Sequence, residues 1–171
     1  MKKTIIHPET PSDIPAIDQV NRLAFGRENE ARLVNQLRDA NAIVLSLVAE
    51  QDRRIIGHIL FSPVTISDDD AEWQAVGLGP MAVLPEFQKQ GVGSALIRAG
   101  LGQLKTLGHD VVIVLGHPEY YPRFGFQPSQ PFGIRWKIDV PAEVFMVAEL
   151  TPGALRGRCG VVRYHPAFAG V

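Results

Sequence analysis

The chain has 171 residues, 46% of them apolar, and its 17 basic and 18 acidic side chains give a formal net charge of −1. That length suits one domain with a sizeable core, and the near-balance of charge excludes the strong basic excess of a sequence-independent nucleic-acid binder while leaving room for a local basic pocket. The lone cysteine, Cys159, rules out an internal disulfide, and no Cys/His group has zinc-ligand spacing, so no metal is expected. The thiol reads as a small buried apolar residue. The start, Met1 to Pro8, carries two lysines without a long apolar run, and no window reaches the length of a membrane span. The expectation is no signal peptide, no membrane and a cytoplasmic location.

Taken in order, residues 4–7 are short and β-prone, closed by Pro8 and Pro11. Ser12 then looks like an N-cap for a helix bearing Ile14, Ile17, Val20 and Leu23, which Gly26 ends. A second helix over about residues 28–38 carries Ala31, Leu33, Val34 and Leu37 on one side, with Asn41 at its exit. Three extended segments follow: 43–50, then 55–66 with a break or bend near Pro63, then 73–84. Polar turns at 51–54 and 67–70 separate them. Gly77, Gly79 and Pro80 within the third suggest a bulge or a break in pairing.

Val92, Ala95, Leu96 and Ala99 then recur at helical spacing, in a helix running to about Leu107 with Gly108 as its stop. Residues 111–115 are continuously apolar, as in a strand buried on both faces beside a parallel neighbour. Residues 73–115 thus read as a βαβ unit. An aromatic turn or short helix follows at 117–126, then a proline- and aromatic-rich loop at 128–141 and late strands near 144–150 and 160–164. There are no repeats and no linker, so residues 1–171 read as a single α+β domain.

The chemistry concentrates at Gln88-Lys89-Gln90-Gly91-Val92-Gly93-Ser94. A loop passing from a strand end into a helix start presents unpaired N–H groups at the positive end of the helix dipole, and a phosphate fits there. Gly91 and Gly93 allow close backbone approach, and Gln88 and Lys89 can add side-chain contacts. The nucleotide P-loop pattern is absent, and the dinucleotide fingerprint lacks its third glycine. Taken alone, the loop is equally a phosphate site or a strand-to-helix turn with no ligand.

The surroundings sharpen it. Leu78 through Leu96 resembles the central motif of the GNAT superfamily of acyl-CoA-dependent N-acetyltransferases, Arg/Gln-x-x-Gly-x-Gly/Ala after an apolar strand; Gln88, Gly91 and Gly93 match, glutamine replacing the commoner arginine. Downstream, Tyr121-Pro122-Arg123-Phe124-Gly125-Phe126 resembles that superfamily's Tyr-x-x-x-Gly-Phe element. The element order fits too, and residues 140–168 resemble a small bacterial subgroup of the superfamily. The resemblance implies a mixed, mostly antiparallel twisted sheet flanked by helices, with one parallel βαβ unit at the coenzyme site and a final hairpin.

The resemblance also implies roles. Acetyl-CoA would lie between two splayed parallel strands, its pantetheine arm against the backbone of Met81, Ala82 and Val83. Its pyrophosphate would sit on the N–H groups of Lys89, Gln90, Gly91, Val92, Gly93 and Ser94, with Gln88 alongside. A Met81 or Val83 N–H suits the oxyanion, and Tyr121 matches the tyrosine that protonates the departing thiolate; Tyr120 fits the spacing to Gly125 less well. Glu72, His117 and Glu119 are candidate bases beside a water relay, while Glu28 and Glu30 either border the acceptor or are exposed helix charges. The implied activity is acetyl transfer to a primary amine of a small molecule, peptide or protein, by a monomer or homodimer. The alternative is a non-catalytic acyl-CoA-binding module on the same fold.

Overall fold

The structure, a computed structural model, describes residues 2–171. Strand β1 (Ile5–Pro8) leads to a one-turn 3-10 segment in which the Thr10 N–H donates to the Asp13 carboxylate at 2.8 Å. The start signal therefore falls on Thr10, two residues before Ser12. Helices α1 (Ile14–Phe25) and α2 (Asn29–Asp39) follow, with Gly26 in the left-handed region between them. Strands β2 (Leu45–Gln51), β3 (Arg54–Ser67) and β4 (Glu72–Val83) form an antiparallel meander. Helix α3 (Val92–Thr106) crosses to β5 (Val111–Leu115), which runs parallel to β4.

The last third holds β6 (Gln127–Pro128), β7 (Ile134–Trp136), β8 (Phe145–Glu149) and β9 (Gly160–Arg163). The main sheet order is β1-β2-β3-β4-β5-β8-β6, with β9 joined to β3 and β7 to β9. The class is the mixed, mostly antiparallel α+β sheet expected, with a second parallel pair in which β7, inside a segment that reads as loop, joins the late strand β9.

Two expectations fail for one reason. The late strands form no hairpin: β8 lies beside β5, and β9 crosses to the far side of β3. Nor does Pro63 break β3, whose register with β4 runs on from Phe61 to Ser67. That strand outruns β2, which pairs with it only as far as Phe61, and β9 takes the same edge from Thr65 onward. Pro63 sits in the gap between those two partners, where that edge carries no ladder and a missing N–H is tolerated. Cys159, just before β9, is exposed rather than buried, and its thiol donates to Asp68 at 3.2 Å.

Successive residues of β3 face opposite ways. A Cβ at Gly57 would meet Leu96 and Val92 of α3, whereas His58 reaches Asn21 of α1, so α1 and α3 cover opposite faces of the sheet. On the α3 side the approach is closest at Gly100, where a Cβ would lie 2.5 Å from the Phe61 ring. On the α1 side a polar chain crosses the core. Asn21 Nδ2 donates to the Ile17 carbonyl at 3.0 Å and faces His58 Nδ1 at 3.1 Å, and His58 Nε2 faces Ser46 Oγ at 2.9 Å. The pairing that satisfies the His58 ring is a neutral imidazole accepting at Nδ1 and donating at Nε2, while Asn21 Oδ1 is buried without a partner among the described residues.

Two outcomes follow. Gly100→Val overpacks the α3–Phe61 contact and should lower unfolding free energy by about 1–3 kcal/mol in urea titrations; unchanged stability would count against the contact. Burial, helped by the nearby Arg38 charge, pushes His58 down to about 3 from its ordinary 6.5. Between those values the unfolded chain binds a proton that the folded chain refuses, so stability falls as pH drops through that window. Between pH 7 and pH 5 the parent chain should lose about 2 kcal/mol more than a His58→Gln variant; equal losses would refute this.

Candidate active site

Strand β4 is paired with β3 along its length, from Ser67↔Glu72 to Gly57↔Val83. On its other edge only Val76↔Val112 and Gly77↔Ile113 join it to β5. Beyond Gly77 the two parallel strands part. The cause is local: Phe61 faces Leu78 and Ile59 faces Met81, so Gly79 and Pro80 together oppose Leu60. This is the bulge that the Gly-Pro pair suggested, and Gly79 at φ +138 occupies backbone space that suits glycine. Past it, the edge of Met81, Ala82 and Val83 that faces β5 has no strand partner among the described residues. Main-chain groups on that edge are open to an extended ligand, although the Val83 carbonyl already accepts from the Gln88 side chain.

The chain then turns sharply into α3. A 3-10 turn at Pro85–Phe87 leads to Gln88, which is extended, then Lys89 at φ +60 and Gly91 at φ +86 as the residue that opens the helix. Glutamine side chains staple the loop: Gln88 Nε2 donates to the Val83 carbonyl at 2.9 Å and Gln90 Nε2 to the Glu86 carbonyl at 3.0 Å. Arg54 pairs with Glu86 at 2.9 Å and lies over Phe87. No side chain caps α3, so the N–H groups of Val92, Gly93 and Ser94 point outward at the positive end of a 15-residue helix. A Gly93 Cβ would lie 3.4 Å from Met81 Cε, so the unpaired strand edge and the uncapped helix start adjoin.

Two tyrosines approach from the 3-10 turn Tyr121–Phe124, which Gly125 closes at φ +92. Tyr121 is 8% exposed, edge-on to Phe126 at 5.7 Å. Its ring rests on the backbone just past β5, where a Cβ at Gly116 would overlap it. Burial pushes its phenol up to about 12. Tyr120, which the sequence ranked second, reaches the cradle itself: its hydroxyl is 3.2 Å from Ser94 Oγ.

The remaining candidates separate. Glu72 pairs with Arg163 at 3.3 Å and stands at the far start of β4. Seven residues of strand, roughly 23 Å, divide it from the bulge, so it is out of direct reach. His117 and Glu119 are exposed in the turn before Tyr121. Glu28, just before α2, is a surface charge between Arg22 and Arg32, but Glu30, in the first turn of that helix, is 6% exposed and held by Arg27. No group of three or more His, Cys, Asp or Glu among the described residues is placed to hold a metal. No helix among them is long and apolar enough to cross a membrane.

Residues 6–129 match the profile of the acetyltransferase (GNAT) domain. The chain is 37% identical over 165 residues to the uncharacterised N-acetyltransferase YhbS of Escherichia coli strain K12, covering 96% of this chain and 98% of that one. It superimposes on the crystal structure of Escherichia coli YhbS in complex with CoA with a TM-score of 0.93, at 35% identity over 99% of this chain and 93% of the other. A Brucella melitensis GNAT family acetyltransferase, solved in complex with acetyl-CoA, gives 0.80 at 38% identity over 97% and 98%. With the parted strands and the uncapped helix already in place, these likenesses settle the assignment: the chain belongs to the GNAT family of acyl-CoA-dependent N-acetyltransferases.

Proposed function

We propose that the protein transfers the acetyl group of acetyl-CoA to a primary amine of a small molecule, peptide or protein in the cytoplasm, as a monomer or homodimer. The observation that carries this reading is the meeting of the unpaired β4 edge with the uncapped start of α3. One offers main-chain donors and acceptors to an amide-bearing arm. The other offers N–H donors and a helix dipole to a pyrophosphate. Relatives solved with CoA and acetyl-CoA support the same pairing.

In this reading Met81, Ala82 and Val83 bind the pantetheine arm as an added strand would. Lys89, Gln90, Gly91, Val92, Gly93 and Ser94 hold the pyrophosphate, the Lys89 ammonium adding charge, and Gln88 keeps the loop in shape through Val83. The coenzyme supplies the acyl group as a reactive thioester. A neutral amine forms the new C–N bond, and the Met81 or Val83 N–H donates to the carbonyl oxygen as charge gathers there. As the C–S bond breaks, Tyr121 passes its phenolic proton to the sulfur. The amine sheds a proton that returns to the Tyr121 oxygen through water. The Tyr121 phenol, which burial pushes up to about 12, carries its proton across the neutral range.

A thiol-release assay with acetyl-CoA over a panel of amines should show release only with acceptor present. Equal release without acceptor, or none with any amine, counts against transfer. Tyr121→Phe should keep CoA affinity within a few-fold and lose about 10²-fold or more in kcat. The parent enzyme should show no alkaline fall below pH 10 from this group. Unchanged turnover in the variant removes the acid role.

A further inference from the structure

Tyr120 and Tyr121 share a peptide bond, yet their side chains go to different places. Tyr121 packs beneath Gly116 and against Phe126. Tyr120 turns to α3, its hydroxyl 3.2 Å from Ser94 Oγ and 3.1 Å from where a Gly93 Cβ would stand. Its ring is held on several sides: edge-on to Tyr121 at 5.3 Å, edge-on to Phe124 at 5.2 Å, and beneath the Arg123 guanidinium at 5.0 Å. Arg98, one turn along α3 from Ser94, lies over Phe124 at 5.1 Å and joins the same cluster to the helix. A ring so confined directs its hydroxyl to one place.

We propose that Tyr120 is a positioning residue, whose hydroxyl ties the Tyr121 turn to the first turn of α3 so that a pyrophosphate seated on that helix also sets the place of the Tyr121 phenol. This rests on the reading in which α3 holds the pyrophosphate and Tyr121 is the proton donor. Ser94 then works twice: its N–H faces the ligand, and its Oγ faces Tyr120. A ligand that orders the first turn of α3 orders Ser94 Oγ, the Tyr120 hydroxyl bonded to it, and the next residue along. Placement errors near 1 Å at a reacting group are enough to slow a reaction severely, so this one bond acts on rate more than on affinity.

Tyr120→Phe keeps the ring packing and Ser94→Ala keeps the α3 N–H, so each removes only its half of the bond. Each variant should lower kcat about tenfold while CoA affinity, read by calorimetry, stays within about threefold. The double variant should be no slower than either single one, because both remove the same interaction. Additive losses, or an unchanged kcat with only a lower melting temperature, would overturn the proposal. So would a Tyr120→Phe loss far exceeding that of Ser94→Ala, which would make Tyr120 the proton donor. Tyr121→Phe in the same series keeps the two claims apart. Its unchanged turnover would defeat the acid assignment whatever the cycle gives, and additivity would defeat the positioning bond even with Tyr121→Phe inactive.

Discussion

A strand inside a sheet normally spends its main-chain hydrogen bonds on both neighbours, and each buried group left unpaired costs about 1–3 kcal/mol. Strand β4 spends them on β3 throughout but on β5 at Val76 and Gly77 alone. The proposed coenzyme site depends on that shortfall. The bulge at Gly79 and Pro80 turns the strand away. The edge at Met81–Val83 is left without a strand partner, and the start of α3 adjoins it. A continuous β4–β5 ladder would satisfy the backbone better and leave no site.

Holding the strands apart requires rigidity on both faces. Below α3 the sheet is nearly bare at Gly57, and α3 is nearly bare at Gly100, so helix and sheet approach closely enough to fix the helix start beside Met81. Across the sheet, the Asn21–His58–Ser46 chain pins α1 to β2 and β3. The His58 ring is tolerable in the core only while it stays paired and neutral. The glutamines at 88 and 90 complete the frame by bonding the loop to its own backbone.

Much of this was legible in the sequence because it is written in local signals. Helical periodicity found α1, α2 and α3, glycine spacing found the loop, and the Gly79-Pro80 pair announced the bulge. What was not legible depends on distant partners. The path of β9 follows from β3 being longer than β2, and no local pattern in residues 160–163 reports that. The short β7 exists because β9 is there to receive it. Glu28 and Glu30 look alike in sequence, but Glu28 precedes α2 in the open while Glu30 is buried in its first turn. The spacing of Tyr120 to Gly125 carries no sign of its reach across to Ser94.

The central claim is that coenzyme binds as an added strand along β4 with its pyrophosphate on α3. Amide hydrogen exchange followed residue by residue, with and without CoA, tests it most directly. The account predicts slowed exchange at amides within Met81–Val83 and Lys89–Ser94, with the α1 amides unmoved. Protection centred elsewhere, or none at saturating CoA, would contradict it.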